Sequence, residues 1–286
     1  MGLLLLAQAA LTAPLHVATV DHGLRPDSAA EARYVAELCG KLGMRHDTIS
    51  LALPPGPALQ ERARDARYAA LGDWAKRSGL QAIVTAHHAD DQAETLLMRL
   101  SRGAGLRGLA AIRPRGVVPG SRDCPLLRPL LGWRRSELAE IVAAAGVEPV
   151  RDPSNADLRF ERVRVRTQMS RLSDLDPMAL ALSARHLAEA DVAIEWAVAH
   201  CMEAVRTEDG ISYWNPGNVP RVIALRVLER LLYEKVGVHP RGNALARWHD
   251  RLAGGEVATL AGVRGDGRKA EWRFSIAPKP RRVTHP

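Results

Sequence analysis

The chain has 286 residues, 47% hydrophobic and 25% charged but only 4% aromatic, so it can build one large or two ordinary domains packed on Leu, Ala and Val. Its formal charge of +8 favours an anionic partner such as RNA, DNA or a nucleotide. Cys39, Cys124 and Cys201 lie far apart with no C-x-x-C pair, which argues against a disulfide framework, a zinc finger and an iron–sulfur cluster and fits a reducing, cytoplasmic setting.

The opening MGLLLLAQAALTAPLHVATVDHG has an apolar core, but no Lys or Arg precedes it as in a secretory signal. It is also too short and interrupted to span a membrane. Residues 3–10 read as a buried helix that begins abruptly, and 15–21 as a buried strand ending in Asp21-His22-Gly23. Residues 28–42 are expected to be helical, with Ser28 as N-cap, Glu31 at the capping-box position and Gly43 closing the helix. Residues 45–51 alternate as a strand, 59–77 form an amphipathic helix, 80–86 a short buried strand and 90–102 another helix. Strands alternating with helices at this spacing predict an α/β fold with a parallel sheet and right-handed crossovers. From about residue 133 the strand signals fade. Helices are expected over 133–145, 160–172, 179–206, 219–236 and 241–253, with a hairpin in the tail from 256 to 278. The predicted organisation is an α/β domain over 1–175 followed by a smaller, mainly helical domain with a small β element over 176–286.

Ligands of open parallel sheets bind beyond the carboxyl ends of the strands. Two predicted strands end in polar clusters, Asp21-His22-Gly23 and His87-His88-Ala89-Asp90-Asp91, so both fall on one rim. Gly23 permits a tight turn with close backbone approach to a ligand. Taken alone, the second cluster divides evenly between a ligand site and a helix start capped by Asp90, with Asp91 and Glu94 complementing the helix dipole. A transition-metal hydrolase is the sharper rival, but a closed site needs three or four ligands, and only Asp21 or His22 is at hand. The pair Asp90 and Asp91 suits Mg²⁺ with a nucleotide's phosphates better.

Three further segments carry positive charge. SRGAGLRGL (101–109) follows the helix as a glycine-rich loop in which Arg102, Gly103 and Arg107 could cradle phosphate or a nucleic-acid backbone, or only cap the helix. In ERARDARYAAL (61–71), Arg64, Arg67 and Tyr68 share a helix face. In RDPSNADLRFERVRVR (151–166), turn chemistry precedes Arg159, Arg162 and Arg166 on one helical face, a plausible phosphate-backbone contact.

In combination, VDHGLRPDS, ERARDARYAAL, TAHHADDQAETLLMRLSRGAGLRGLAAI, LLRPLL and RDPSNADLRFERVRVR resemble the tRNA(Ile)-lysidine synthases of the PP-loop (N-type ATP pyrophosphatase) superfamily. The resemblance runs from about residue 3 to 166 and beyond 175 is only architectural. It implies a sheet of the adenine nucleotide alpha hydrolase-like (HUP) type and a C–N-bond-forming ligase. ATP adenylates the wobble cytidine of the CAU anticodon of tRNA(Ile), releasing pyrophosphate, and the ε-amine of L-lysine then displaces AMP to give lysidine.

On this resemblance the cofactors are ATP and Mg²⁺. The catalytic group is Asp91, Asp90, Arg67 and His87, with Asp90 and Asp91 holding the metal ion on the leaving pyrophosphate. Asp21, His22 and Gly23 border the nucleotide, joined by Arg102 and Gly103. Arg64, Arg107, Arg159, Arg162 and Arg166 meet tRNA. A homodimer is compatible with this reading; a membrane partner is not expected. A tRNA thiolase is disfavoured because that sister class commonly uses paired cysteines. Two departures matter. Val163 stands where the family usually has asparagine. The S-G-G-x-D-S phosphate loop is absent from the chain, so a first strand and loop of about thirty residues are expected to be missing ahead of residue 1. Either the start is assigned too late or the chain is a truncated, non-catalytic tRNA-binding paralogue. The chain as written is expected to be inactive or nearly so.

Overall fold

A computed structural model describes residues 1–23, 27–54, 56–121, 123–150, 156–172 and 174–278. It divides into two compact units, Met1–Ala188 and Glu189–Pro286.

In the first unit the elements run α1 (Gly2–Ala10), β1 (His16–Asp21), α2 (Ser28–Lys41), β2 (Arg45–Ser50), α3 (Leu59–Arg77), β3 (Ile83–Val84) and α4 (Ala89–Leu100). The short α5 (Leu106–Leu109), β4 (Arg115–Val117), β5 (Pro125–Leu127), α6 (Arg135–Ala144) and α7 (Glu161–Met169) follow, and the division between the units falls within α8 (Pro177–Glu203). β1 pairs parallel with β2 in a register that sets His16 opposite Arg45 and Asp21 opposite Ser50. β3 pairs parallel with β5, which pairs antiparallel with β4. Tyr68, Trp74, Ile83, Val118 and Leu126 form the core beneath the second of these sheets.

Several expectations are corrected. The strand expected over 80–86 is reduced to Ile83–Val84, and β4 and β5 have no counterpart in the sequence reading, because three-residue strands are too short to show alternation. α2 is capped at Asp27 with no side-chain cap bond, while the Ser28 hydroxyl turns to the Asp21 carboxylate instead. The apolar α1 and β1 were expected to be buried, yet neither contains a buried residue. On β3, Val84 is also exposed. The reason lies in the sheets: β1–β2 and β3–β5–β4 are separate, and the apolar surfaces of α1, β1 and β3 line an open cleft.

In the second unit β6 (Arg206–Glu208), β7 (Ile211–Trp214), α9 (Arg221–Val236), α10 (Gly242–Ala253), β8 (Val257–Leu260), β9 (Val263–Asp266) and β10 (Trp272–Ile276) follow the end of α8. The strands form an antiparallel sheet in the order β6-β7-β10-β9-β8. The helix expected to reach residue 206 thus stops at Glu203, and the tail hairpin is part of a five-stranded sheet. Trp214, Leu228, Leu232, Trp248 and Phe274 fill its core. Arg226 is buried between Asp191 and Glu195, donating to Glu195 at 2.8 Å, which fastens α9 to the C-terminal part of α8. Among the described residues no helix is long and apolar enough to cross a membrane.

Candidate active site

The carboxyl end of β1 turns sharply at Asp21-His22-Gly23. Asp21 accepts the Gly23 N–H at 2.9 Å, and the Ser28 hydroxyl and this amide hold its carboxyl below the usual range. Gly23 has φ of +61°, the left-handed region that costs other residues steric strain. A Cβ there would meet only the Leu51 carbonyl at 3.7 Å, so Gly23→Ala tests backbone conformation and not packing. We expect it to destabilise the first unit by about 1 kcal/mol in urea unfolding. An unchanged midpoint would show that the turn relaxes freely. His22 has a buried Nδ1 with no partner, and burial together with the Arg67 charge lowers its pKa.

The carboxyl end of β3 leads through Thr85 and His87 into α4. The Thr85 hydroxyl lies 2.9 Å from His87 Nδ1. Burial pushes the His87 pKa down to about 4, with Arg128, Arg162 and Arg64 adding to the shift and Asp91 opposing it. His87 is therefore a neutral imidazole at physiological pH. Asp91 accepts the His88 N–H at 3.0 Å and so closes the start of α4, the part the sequence reading gave to Asp90. Asp90 instead accepts the Arg135 N–H at 2.8 Å, and His88 with that amide holds its carboxyl down at about 2.

Glu94 was read only as a dipole complement but is the best-enclosed charge of the region, with 1% of its side chain exposed. Arg162 Nε donates to its Oε2 and Arg166 Nε to its Oε1, both at 2.6 Å, and Arg162 also lies 3.3 Å from Asp91. α7 is thereby strapped to α4. The signal in the sequence was a carboxylate at a core-facing position, between Ala93 and Leu96, which needs cationic partners from elsewhere. Beside it, buried Gln92 bonds the N–H and C=O of Ile112 at 2.7 and 2.8 Å and fixes the α5–β4 segment.

A cleft of about 3600 Å³ in this unit is lined by Asp21, His22, Arg64, Arg67, Arg102 and Arg162, among others. His87, Asp90 and Asp91 do not line it directly, and Gly23, Gly103 and Arg107 also lie outside its wall. Arg64 and Arg67 stand over the Tyr68 ring at 5.2 and 5.4 Å; burial lowers the Arg67 pKa without removing its charge. Arg102, on the exposed end of α4, pairs with Glu161, and Gly103 takes φ of +66° in the turn that closes the helix. Arg107 is exposed on α5. Arg159 is an exposed surface cation bonded to Asp157 at 2.7 Å. Of the expected tRNA stripe, Arg162 and Arg166 thus turn toward Glu94, and only Arg159 points fully to solvent. The Asp152–Asn155 turn lies outside the described residues.

The residues present fit a nucleotide polyphosphate. They provide a basic cleft, a strand-end turn, an orphaned buried His22 nitrogen, and adjacent carboxylates next to a neutral imidazole. Among the described residues no three His, Cys, Asp or Glu side chains converge as a metal site. Mg²⁺ needs only one or two carboxylates when phosphates and water complete its shell, so Asp90 and Asp91 fit that role.

Residues 1–172 match the family model of the PP-loop domain. The chain is 55% identical over all of its length and 88% of the relative's to a tRNA(Ile)-lysidine synthase of Novosphingobium aromaticivorans. It is 41% identical to the tRNA(Ile)-lysidine synthase of Zymomonas mobilis, over 96% of this chain and 84% of that one. Among solved structures it is similar to the U34-tRNA thiolase NcsA of Methanococcus maripaludis with its [4Fe-4S] cluster. That match has 12% identity and a TM-score of 0.51, covers 64% of each chain, and is a likeness of fold alone.

Proposed function

Because the chain belongs to the PP-loop tRNA(Ile)-lysidine synthases, we propose that it is an ATP-dependent C–N ligase of tRNA modification that joins L-lysine to the wobble cytidine of the CAU anticodon of tRNA(Ile). The single observation that carries the reading is the cleft, which is lined by Asp21 and His22 at the end of β1, by Thr85 and Ala86 beyond β3, and by Arg64, Arg67 and Arg162.

Asp21, His22 and Gly23 border the nucleotide, with Arg102 and Gly103 at the far end of α4. Asp90 and Asp91 hold Mg²⁺, which when bound supplies charge stabilisation to the departing pyrophosphate. Asp91 is braced for this by the His88 amide and by Arg162. Arg67, half-buried and cationic, approaches the phosphates or the reacting base. His87, neutral through burial, keeps a ring nitrogen that can take part in hydrogen bonding with the reacting groups. Arg64, Arg107 and Arg159 present positive charge to the tRNA backbone. The second unit, with α9, α10 and its sheet, is an accessory tRNA-binding part. A cytoplasmic site of action fits the substrate, and a homodimer is compatible with it.

The test is AMP release that requires ATP, CAU-anticodon tRNA and lysine together, with adenylated tRNA accumulating when lysine is left out. ATP turnover indifferent to tRNA and lysine would overturn the reading.

A further inference from the structure

We propose that Arg128, at the carboxyl end of β5, is a phosphate-binding residue of the cleft. The inference rests on the ATP- and tRNA-dependent reading above and adds to it a residue that the sequence motifs left without a role.

β5 pairs parallel with β3, so Arg128 emerges on the same rim as His87, one strand away; the Thr85 N–H bonds the Leu127 carbonyl at 3.0 Å across the pair. The backbone of Arg128 is fixed by its N–H to the Pro114 carbonyl at 2.9 Å, and its Nη1 donates to the Arg113 carbonyl at 2.8 Å. These two bonds orient the guanidinium over the β4–β5 hairpin and leave its charge uncompensated. Its Nε is buried without any acceptor, and among the described residues no carboxylate meets the group. By contrast Arg162 and Arg166 share Glu94, Arg102 has Glu161 and Arg134 has Asp176. A guanidinium presents five donors in a planar fork and suits two phosphate oxygens at once. A buried donor without acceptor is costly, and a ligand oxygen removes that cost. Arg128 lines the cleft, as do Arg64 and Arg67, and the charges of Arg128 and Arg64 both reach His87 and help keep it neutral.

The phosphate has two sources, the polyphosphate of the nucleotide and the phosphodiester backbone of the tRNA. The probes that separate them are inorganic pyrophosphate in calorimetric titration and CAU-anticodon tRNA in fluorescence anisotropy across a salt series. Each is applied to the 286-residue chain and to its Arg128→Gln and Arg128→Lys variants. A loss of about tenfold to a hundredfold in pyrophosphate affinity in Arg128→Gln, with partial recovery in Arg128→Lys, places the contact on the polyphosphate. A similar loss confined to tRNA, with the salt slope reduced by about one, places it on the RNA backbone. Unfolding midpoints of the three proteins verify that the fold is retained, and a merely structural tie to Arg113 would move those midpoints and leave both affinities alone. That outcome, or affinities within twofold of the parent for both probes, overturns the proposal, as does a parent chain that binds neither. Lysine transfer is read separately on the parent chain, so the ligase reading can fail while the phosphate contact stands.

Discussion

Glu94→Ala is expected to destabilise the first unit by about 3–5 kcal/mol, the usual cost of removing one partner from a buried ion pair. Two guanidinium groups, Arg162 and Arg166, lose their shared acceptor while both are still drawn toward the interior at α4. The net worth of the triad is smaller than this cost, because three charged groups had to leave water to form it. A variant replacing Glu94, Arg162 and Arg166 together by apolar residues of similar length is therefore expected to recover much of the loss. Urea unfolding followed by circular dichroism gives both values. A Glu94→Ala change of less than 1 kcal/mol would show that the strap between α7 and α4 contributes little and that Glu94 is hydrated in solution.

The second large effect is in pH. His87 has a folded pKa of about 4 against an ordinary value of 6.5. Between these values the unfolded chain binds a proton that the folded chain refuses, so stability rises with pH across that window. The contribution is complete above pH 6.5 and is lost as the pH falls toward 4, up to about 3 kcal/mol in all. His87→Gln, which keeps an amide to face the Thr85 hydroxyl, is expected to flatten the unfolding free energy over this range. Asp90, with its carboxyl held at about 2, adds a separate loss in more acidic solution, from about pH 4 downward, that His87→Gln leaves in place. An undiminished slope between pH 6.5 and 4 in the variant would mean that His87 titrates normally.

The rim of the site was legible because it is local. Asp21-His22-Gly23 is written at one strand end and His87 to Asp91 at the start of one helix, each within five residues, so both turns could be placed from the sequence. What could not be read there depends on distant partners. Glu94 resembles any acid of a first turn until Arg162 and Arg166 arrive from α7, more than sixty residues later. Those arginines in turn look like an RNA-facing stripe until the carboxylate that claims them is known. Arg128 sits in PLLRPLL, an apolar stretch whose strand is three residues long, so neither its element nor its orientation shows. The second unit has a missed signal of its own. Asp209 and Gly210 both have positive φ between β6 and β7, a D-G hairpin turn that the sequence displayed but helical periodicity carried past.

The most direct measurement is nucleoside mass spectrometry of CAU-anticodon tRNA(Ile) incubated with ATP, Mg²⁺, lysine and the 286-residue chain. We expect lysidine at the wobble position, formed only when ATP, lysine and the chain are all present. An absence of lysidine under these conditions would contradict the ligase itself.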